Sequence, residues 1–457
     1  MLAEVSAMLL RFGVANHRSI RDYQELFLTA SKRIKRQGIS IPVPVLQQAA
    51  VPVVAIYGPN ASGKSNLIDA LDEIGRAIVR SHQVLGATDP IPRFPFLLDT
   101  KTRKEPTRFD CTFTVPETTD EKQESDHDSE VYEYGFEFKS KEFTREWLFR
   151  TTRKERLSTQ TLFERKTVDG QTSIDFGSRL RGENKTIANL TRPNSLFLSA
   201  AAQNNHPQLG PLHAYFASRW KTILNAGPLM DPMVAERLSN YEHLDQLLPL
   251  VRQADLGISE IKVEEEDTEE SQVGLMGEVF EVVSKVVSKH MNGSDEDVPS
   301  KESFLDQVRR HKKLSFIHAT SEDFPHSFEY GMQSKGTQTL ISFLIPALEA
   351  LANGSLLVID ELDTSLHPDL TRAFVSLFGK AETNPSGAQL IFTTHDVTLL
   401  SSGLLSQDEI WISEKDNEGV SRFTPLTDYK LRSRDDTERA YRSGRLGGVP
   451  VSDEFIG

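Results

Sequence analysis

The octapeptide Gly58-Pro59-Asn60-Ala61-Ser62-Gly63-Lys64-Ser65 constrains this chain more than any other stretch, because it fits G-x-x-x-x-G-K-S without a gap. Its flanks fit as well. Residues 51–57 are an apolar, β-branched run that reads as a buried strand, and Leu67, Ile68, Ala70, Leu71 and Ile74 recur behind the octapeptide at helical spacing. A strand, a tight glycine-rich turn and a helix N-terminus make an anion cradle. Backbone N–H groups point inward and the helix dipole favours negative charge. In such a cradle Lys64 reaches the β- and γ-phosphates of a nucleotide and the Ser65 hydroxyl coordinates Mg²⁺, with Asn66 following in the first helical turn. An ordinary glycine-rich turn would need neither the lysine nor both flanking patterns. The stretch is read as a nucleotide site.

Bulk properties narrow the class. At 457 residues the chain has room for two or three domains. No window of about 18 apolar residues could span a membrane. Residues 1–10 contain Glu4 and lack a basic start followed by a sustained apolar core, so no signal peptide is expected. The one cysteine, Cys111, excludes an internal disulfide framework and a cysteine-rich zinc site, which makes the cytoplasm the expected compartment. A net charge of −14 argues against a diffuse nucleic-acid-binding surface. Local basic runs at 32–36, 150–156 and 309–313 read first as solvated faces or loops.

Along the chain, residues 8–14 read as a strand and 25–30 as its hairpin partner, with a loop over 31–48. A helix over 64–81 precedes a rigid turn marked by Pro90, Pro92 and Pro95. Alternating β segments at 108–115, 131–138 and 146–151 predict an antiparallel sheet beside the nucleotide core, interrupted by an acidic, serine-rich loop at 117–130. A further strand is expected near 162–166. Helical patterns follow at 196–203, 211–224, 233–238, 244–253 and 273–290. Strands are expected at 258–263 and 314–319, with an acidic loop at 264–270. The domain division is therefore an N-terminal half of the nucleotide core with its β subdomain over 1–200, a mostly helical insertion over 201–312, and a C-terminal half of the core over 313–457. The insertion is too short for a long coiled-coil arm, since a helix rises only about 1.5 Å per residue.

Residues 355–359 form a second apolar run, and it ends in Asp360-Glu361. A carboxylate at the end of a buried strand is what Mg²⁺ on a triphosphate needs. Asp360 would act mostly through the ion's water shell, and Glu361 is placed to polarise the attacking water. A third buried strand, 389–393, ends at Thr394-His395, where the histidine could reach a γ-phosphate and Glu361. Upstream, Ser334-Lys335-Gly336 opens a helix over 339–351 and makes a second anion site at a helix N-terminus. One nucleotide does not need two such sites. A homodimer does, if the Ser334–Gly336 turn of each chain closes over the nucleotide held by the other.

The ordered set resembles the ABC-type ATPases, and within them the SMC/RecF-like branch that includes the overcoming-lysogenisation-defect proteins. The matching pieces are Asn16-His17-Arg18-Ser19, the Walker A loop 58–65, a short signature at Ser334–Gly336, Walker B at 356–361, and Asp363 running into Leu366-His367-Pro368. His395 and the closing stretch 441–450 complete the set. The resemblance covers roughly the first 110 and last 130 residues. It implies an α/β fold: an ABC-type P-loop core with an antiparallel β subdomain and the helical insertion. It also implies that Ser334 and Gly336 bind the γ-phosphate in trans, with Glu361 the catalytic base and His395 the phosphate sensor. The signature departs from L-S-G-G-Q by carrying Lys335, and the turn 90–98 holds no glutamine for a Q-loop.

Among relatives of this size the chain is most similar to the ATPase subunit of PARIS-type anti-phage systems and to RloA-type proteins. That resemblance implies ATP and Mg²⁺ as cofactors, self-association in a nucleotide-sandwich dimer, a separately encoded nuclease or toxin effector of the TOPRIM type, and a phage protein as trigger. The alternative is a RecF- or SMC-like DNA-maintenance ATPase, which the acidic balance disfavours. A transporter subunit is a third reading, and the motifs at 16–19 and 444–450 point away from it. A fused nuclease is not expected, because the stretch after His395 is too short for one. Asp435, Asp436, Glu438, Asp453 and Glu454 read as surface charges rather than metal ligands.

Overall fold

Alternating and continuously apolar strand patterns give two different sheets. The computed structural model describes residues 7–31, 38–115, 130–153, 155–168, 170–224, 234–235, 238, 244–253, 257–267, 273–274, 276–281, 301–302, 305, 310–318, 326–429, 431 and 436–447. The chain divides into two units, Met1–Ala226 with Glu349–Gly457, and Gly227–Leu348.

In the first unit the alternating segments build a seven-stranded antiparallel sheet; labels follow chain order. It contains β1 (Met8–Ala15), β2 (Gln24–Phe27), β6 (Thr107–Thr114), β7 (Val131–Phe138), β8 (Phe143–Arg153), β9 (Leu157–Val168) and β10 (Gln171–Phe176), in the order β10-β9-β8-β7-β6-β1-β2. The hairpin expected of residues 25–30 is the β1–β2 pair. The strand expected at 162–166 is the middle of the longer β9. The loop expected over 31–48 includes part of a small hairpin, β3 (Ile41–Val43) with β4 (Gln48–Ala50). The acidic stretch 116–129 and the basic run 32–36 lie outside the described residues.

The continuously apolar runs build a six-stranded sheet of β5 (Val53–Tyr57), β11 (Trp220–Ile223), β15 (Leu356–Ile359), β16 (Gln389–Thr393), β17 (Ile410–Lys415) and β18 (Ser421–Pro425). Its order is β11-β15-β16-β5-β17-β18, parallel throughout except for the β17–β18 hairpin. Every residue of β5, β15 and β16 is buried, as expected of parallel strands covered on both faces. Helix α1 (Lys64–Arg80) buries Leu67, Ile68, Leu71, Ile74 and Ile78. Helices α2 (Asn184–Leu190), α3 (Phe197–Gln203) and α4 (Leu209–Arg219) precede β11.

The helix expected over 211–224 stops at Arg219, and residues 220–223 form the edge strand β11 beside β15. Long-range contacts decide this: the Trp220 indole donates to the Leu71 carbonyl of α1 (3.1 Å). Four residues are too few to carry a periodic signal of their own. The two sheets share one apolar core. The buried Gln389 amide also joins them, accepting from Leu9 N (2.7 Å) and donating to Leu9 O (2.9 Å) and Val51 O (3.1 Å).

The second unit holds α5 (Leu244–Gln253) and an antiparallel sheet of β12 (Ile258–Asp267), β13 (Arg310–His318) and β14 (His326–Glu329). Helix α6 (Lys335–Asn353) begins in this unit. The expected acidic loop at 264–270 gives way to strand as far as Asp267. The backbone register sets residues 264–267 opposite 310–313. The stretch expected to be mostly helical therefore contains two of these three strands in part or whole. Of the helix expected over 273–290, residues 273–274 and 276–281 are helical and the rest lies outside the described residues; of 233–238, residues 234–235 and 238 are helical and the other three lie outside the described residues. The first unit resumes with α7 (Pro368–Gly379), α8 (Thr398–Ser401) and α9 (Thr437–Arg442).

Candidate nucleotide-binding site

The glycine-rich loop leaves the C-terminal end of β5, which lies between β16 and β17. Two of its positions admit only glycine. A Cβ on Gly58 would lie 2.4 Å from the Ser413 carbonyl oxygen, and one on Gly63, at φ 110°, would lie 2.1 Å from Ser421 Oγ. Ala61 takes up a left-handed conformation (φ 62°) at the tip. Lys64 is buried and folds back over the loop, donating from Nζ to Gly58 O (2.8 Å) and Pro59 O (3.1 Å). Carbonyls thus occupy a cation that can turn toward phosphate oxygens. The Ser62 hydroxyl is buried without a hydrogen-bond partner, Ser65 is exposed in the first turn of α1, and Asn66 gives its side-chain amide to Ser19 Oγ (2.5 Å). A tight cradle, an inward lysine and an exposed hydroxyl fit a nucleotide phosphate chain with its Mg²⁺.

Two strands away, β15 delivers Asp360 and Glu361. Asp360 is buried, and its N–H donates to Ile223 O on the edge strand (2.9 Å). Thr393, the last residue of the intervening β16, holds both acids. Its hydroxyl donates to Asp360 Oδ1 (2.6 Å) and accepts from Glu361 N (2.7 Å). Glu361 is exposed and sits at φ 54°, a left-handed conformation that non-glycine residues seldom adopt. The chain then curls back. Leu362 N donates to Thr393 O (3.0 Å), and His395 N donates to the Asp363 carboxylate (3.2 Å to each oxygen).

The loop, the acids and the histidine feel one another electrostatically. Burial pulls the Lys64 ammonium below its ordinary pKa, and Asp360, Glu361 and Asp363 oppose that shift. Burial and then the Lys64 charge lower His395, against the same three carboxylates. His395 is therefore a neutral imidazole at pH 7, able to donate or accept one hydrogen bond.

The motif at 16–19 is tied into the same region. Asn16 Nδ2 donates to Thr102 O (2.7 Å) and Glu105 O (2.8 Å), and Oδ1 accepts from Phe96 N (2.9 Å), which pins the proline-rich turn. His17 Nε2 and the Arg18 guanidinium converge on Asp69 of α1 (2.8 Å, and 2.5 and 2.9 Å). Burial would raise the Asp69 carboxyl, but these hydrogen bonds hold it below its usual value.

Ser334 and Gly336 lie in the second unit, at the start of α6. Ser334 Oγ accepts from Thr337 N (3.1 Å) as an N-cap. The preceding turn is fixed by Gln338, whose Nε2 donates to Tyr330 O (3.0 Å) and Gln333 O (2.9 Å). Of the stretch 441–450, residues 448–450 lie outside the described residues, as do Asp435, Asp453 and Glu454. Asp436 caps α9 by accepting from Arg439 N (3.2 Å), and Glu438 bonds Ser401 Oγ (2.6 Å).

Sequence reasoning missed Asp69, Thr393, Ser413 and Ser421. Only Thr393 carried a local signal, as a hydroxyl residue closing a buried strand two positions before His395.

Among the described residues no group of three His, Cys, Asp or Glu side chains could hold a metal ion by itself, so a bound Mg²⁺ would take its remaining ligands from phosphate and water. No described helix is long and apolar enough to cross a membrane. No curated protein matches the sequence. Among solved structures, the SMC head domain from Thermotoga maritima matches at 13% identity, covering 91% of this chain and 98% of that one with a TM-score of 0.35. Residues 53–401 match the family described as "AAA domain, putative AbiEii toxin, Type IV TA system". That match spans most of the chain and brackets the glycine-rich loop, the acid pair and His395: the chain belongs to this AAA-domain family of P-loop ATPases.

Proposed function

We propose that the protein is an ABC-type ATPase of the SMC/RecF-like branch whose nucleotide state controls its association with itself and with an effector. Residues 58–66 bind the phosphates of ATP. Ser65 and Asp360 hold Mg²⁺, which when bound neutralises charge on the phosphate oxygens. Glu361 accepts a proton from the attacking water, and His395 contacts the γ-phosphate. Ser334 and Gly336 of a second copy complete the site with N–H groups of the α6 N-terminus, in a nucleotide-sandwich homodimer.

The observation that carries this reading is the Thr393 bridge. It fixes the acid pair at the end of β15 from β16, the strand between that pair and the phosphate loop. The test is Mg²⁺-dependent phosphate release by the wild type, Lys64→Ala and Glu361→Gln. The reading requires turnover in the wild type alone and retained ATP binding in Glu361→Gln. Turnover in all three would overturn it.

For the cellular role we infer a sensor and scaffold of prokaryotic anti-phage defence, akin to the ATPase of PARIS-type systems or RloA-type proteins. It sequesters a separately encoded TOPRIM-type nuclease and releases it when a phage protein is sensed. The family description, naming a toxin and a type IV toxin–antitoxin system, supports placement in a defence-type operon. Purification of Glu361→Gln with ATP from its host tests this. A stoichiometric nuclease encoded alongside supports the role, whereas co-purifying DNA without a protein partner would move the assignment to DNA maintenance.

A further inference from the structure

The residues beneath the phosphate loop form a hydroxyl chain of one polarity. Ser421 Oγ donates to Ser62 O (2.6 Å), because a carbonyl can only accept. Its single proton is then spent, so in the contact with Ser19 Oγ (2.7 Å) Ser421 accepts and Ser19 donates. Ser19 Oγ in turn accepts from Asn66 Nδ2 (2.5 Å). The order is Asn66 to Ser19 to Ser421 to the Ser62 carbonyl, and every donor direction is fixed by chemistry. Ser421 N also donates to Ser19 O (2.8 Å), and Ser413 Oγ reaches the same Ser62 carbonyl (3.2 Å). Ser62, Ser413 and Ser421 are all buried.

The chain begins and ends on the loop it supports. It starts in the first turn of α1, passes through the motif at 16–19 and the β17–β18 hairpin, and closes on the peptide preceding Gly63. That peptide must stay in place for the N–H groups of Gly63 and Lys64 to face an anion. The fit leaves no slack, since even a Cβ on Gly63 would meet Ser421 Oγ at 2.1 Å.

We propose that Ser421, with Ser19, is a positioning residue for nucleotide binding. Its hydroxyl sets the orientation of the Ser62–Gly63 peptide and hence the preorganisation of the phosphate cradle. This rests on the reading of residues 58–66 as a nucleotide site. The Asn16–Ser19 motif then acts on the nucleotide through the loop, and the β17–β18 hairpin is part of the cradle's support.

The test is the affinity of the full-length protein for a fluorescent ATP analogue with Mg²⁺, measured for the wild type, Lys64→Ala, Ser421→Ala, Ser19→Ala and the Ser19→Ala/Ser421→Ala double variant, each with its thermal midpoint. Each single serine variant is expected to weaken binding about tenfold, because the Ser62 carbonyl is left either with the longer Ser413 hydrogen bond alone or with a Ser421 hydroxyl no longer oriented by Ser19. The double variant is expected to be little worse than the weaker single, because both break the same chain. Unchanged affinity in Ser421→Ala, or losses that simply add, would overturn the proposal even if the midpoint falls. Absence of binding by the wild type would instead remove the nucleotide reading itself. Should Ser421→Ala fail to fold, Ser19→Ala alone must still weaken binding for the proposal to stand.

Discussion

The two sheets of the first unit treat buried carboxylates in opposite ways. In the antiparallel sheet Asp110 is fully buried and saturated: Arg11 (2.7 Å), Arg108 (2.8 Å) and the Tyr23 hydroxyl (2.9 Å) all converge on it. Glu146, equally buried, faces Arg165 (3.5 Å) and accepts from Tyr134 OH (2.9 Å) and from Phe197 N and Leu198 N at the start of α3 (2.7 and 3.0 Å). In the parallel sheet Asp360 is held by one threonine hydroxyl, and among the described residues no cation lies within salt-bridge distance of it or of Glu361. Carboxylates surrounded by cations and N–H groups hold a fold together. Carboxylates aimed by a neutral hydroxyl keep lone pairs free for a cation or a water molecule. In the sequence Asp360 and Glu361 stand out by closing a continuously apolar run, whereas Asp110 and Glu146 lie within alternating segments, and the cations and N–H groups around the latter two mark them as structural.

Substitutions can sharpen or break this contrast. The largest effect is expected at Glu361. Glu361→Gln should reduce steady-state ATP turnover by about 10²–10⁴-fold, the range for loss of a general base, with unchanged unfolding in denaturant. The opposite profile is expected at Glu146. Glu146→Ala leaves Arg165 buried without its counter-charge and should cost about 3–5 kcal/mol in urea unfolding, while any folded fraction binds ATP with wild-type affinity. A catalytic defect in that folded fraction would erase the distinction between the sheets. Lys64→Ala removes the charged donor of the loop and should weaken ATP binding about a hundredfold by calorimetry. Thr393→Val keeps the shape of its side chain but not its two hydrogen bonds, and turnover should fall about tenfold with a smaller change in stability.

The smallest expected effect concerns pH. Burial lowers the His17 pKa below 6.5 despite the Asp69 hydrogen bond. The folded protein therefore binds this proton less readily than the unfolded chain does. The stability it contributes is present above pH 6.5 and is lost as pH falls through the folded-state value. Thermal midpoints from pH 8 to pH 5 should decline less steeply in His17→Gln than in the wild type, and an identical decline would show that other groups carry the dependence.

How much of this was legible in the sequence depends on the range of the interactions. The loop at 58–65, its strand and helix, the acids after 356–359 and His395 after 389–393 are local patterns, and each lies where its pattern predicted. The α/β core and antiparallel sheet were likewise written in apolar runs and alternation. Ser421 and Ser62, 359 residues apart, and Ser19 and Ser421, 402 apart, leave no local trace of their pairing. Nor do Gln389 and Leu9. The strand Trp220–Ile223 was masked by the helix before it, and the end of strand β12 by its own acidic run, until the partner strands supplied the missing backbone hydrogen bonds.

In the proposed mechanism, residues 58–66 and the pair Asp360-Glu361 form one ATP-hydrolysing site. A single-turnover experiment tests it most directly: ATP is bound to excess protein, Mg²⁺ is added, and bound nucleotide is followed by acid quench. The expected result is conversion to ADP in the wild type, persistent bound ATP in Glu361→Gln and, at protein concentrations below its weakened Kd, little bound nucleotide in Lys64→Ala. Conversion in Glu361→Gln at the wild-type rate would contradict it.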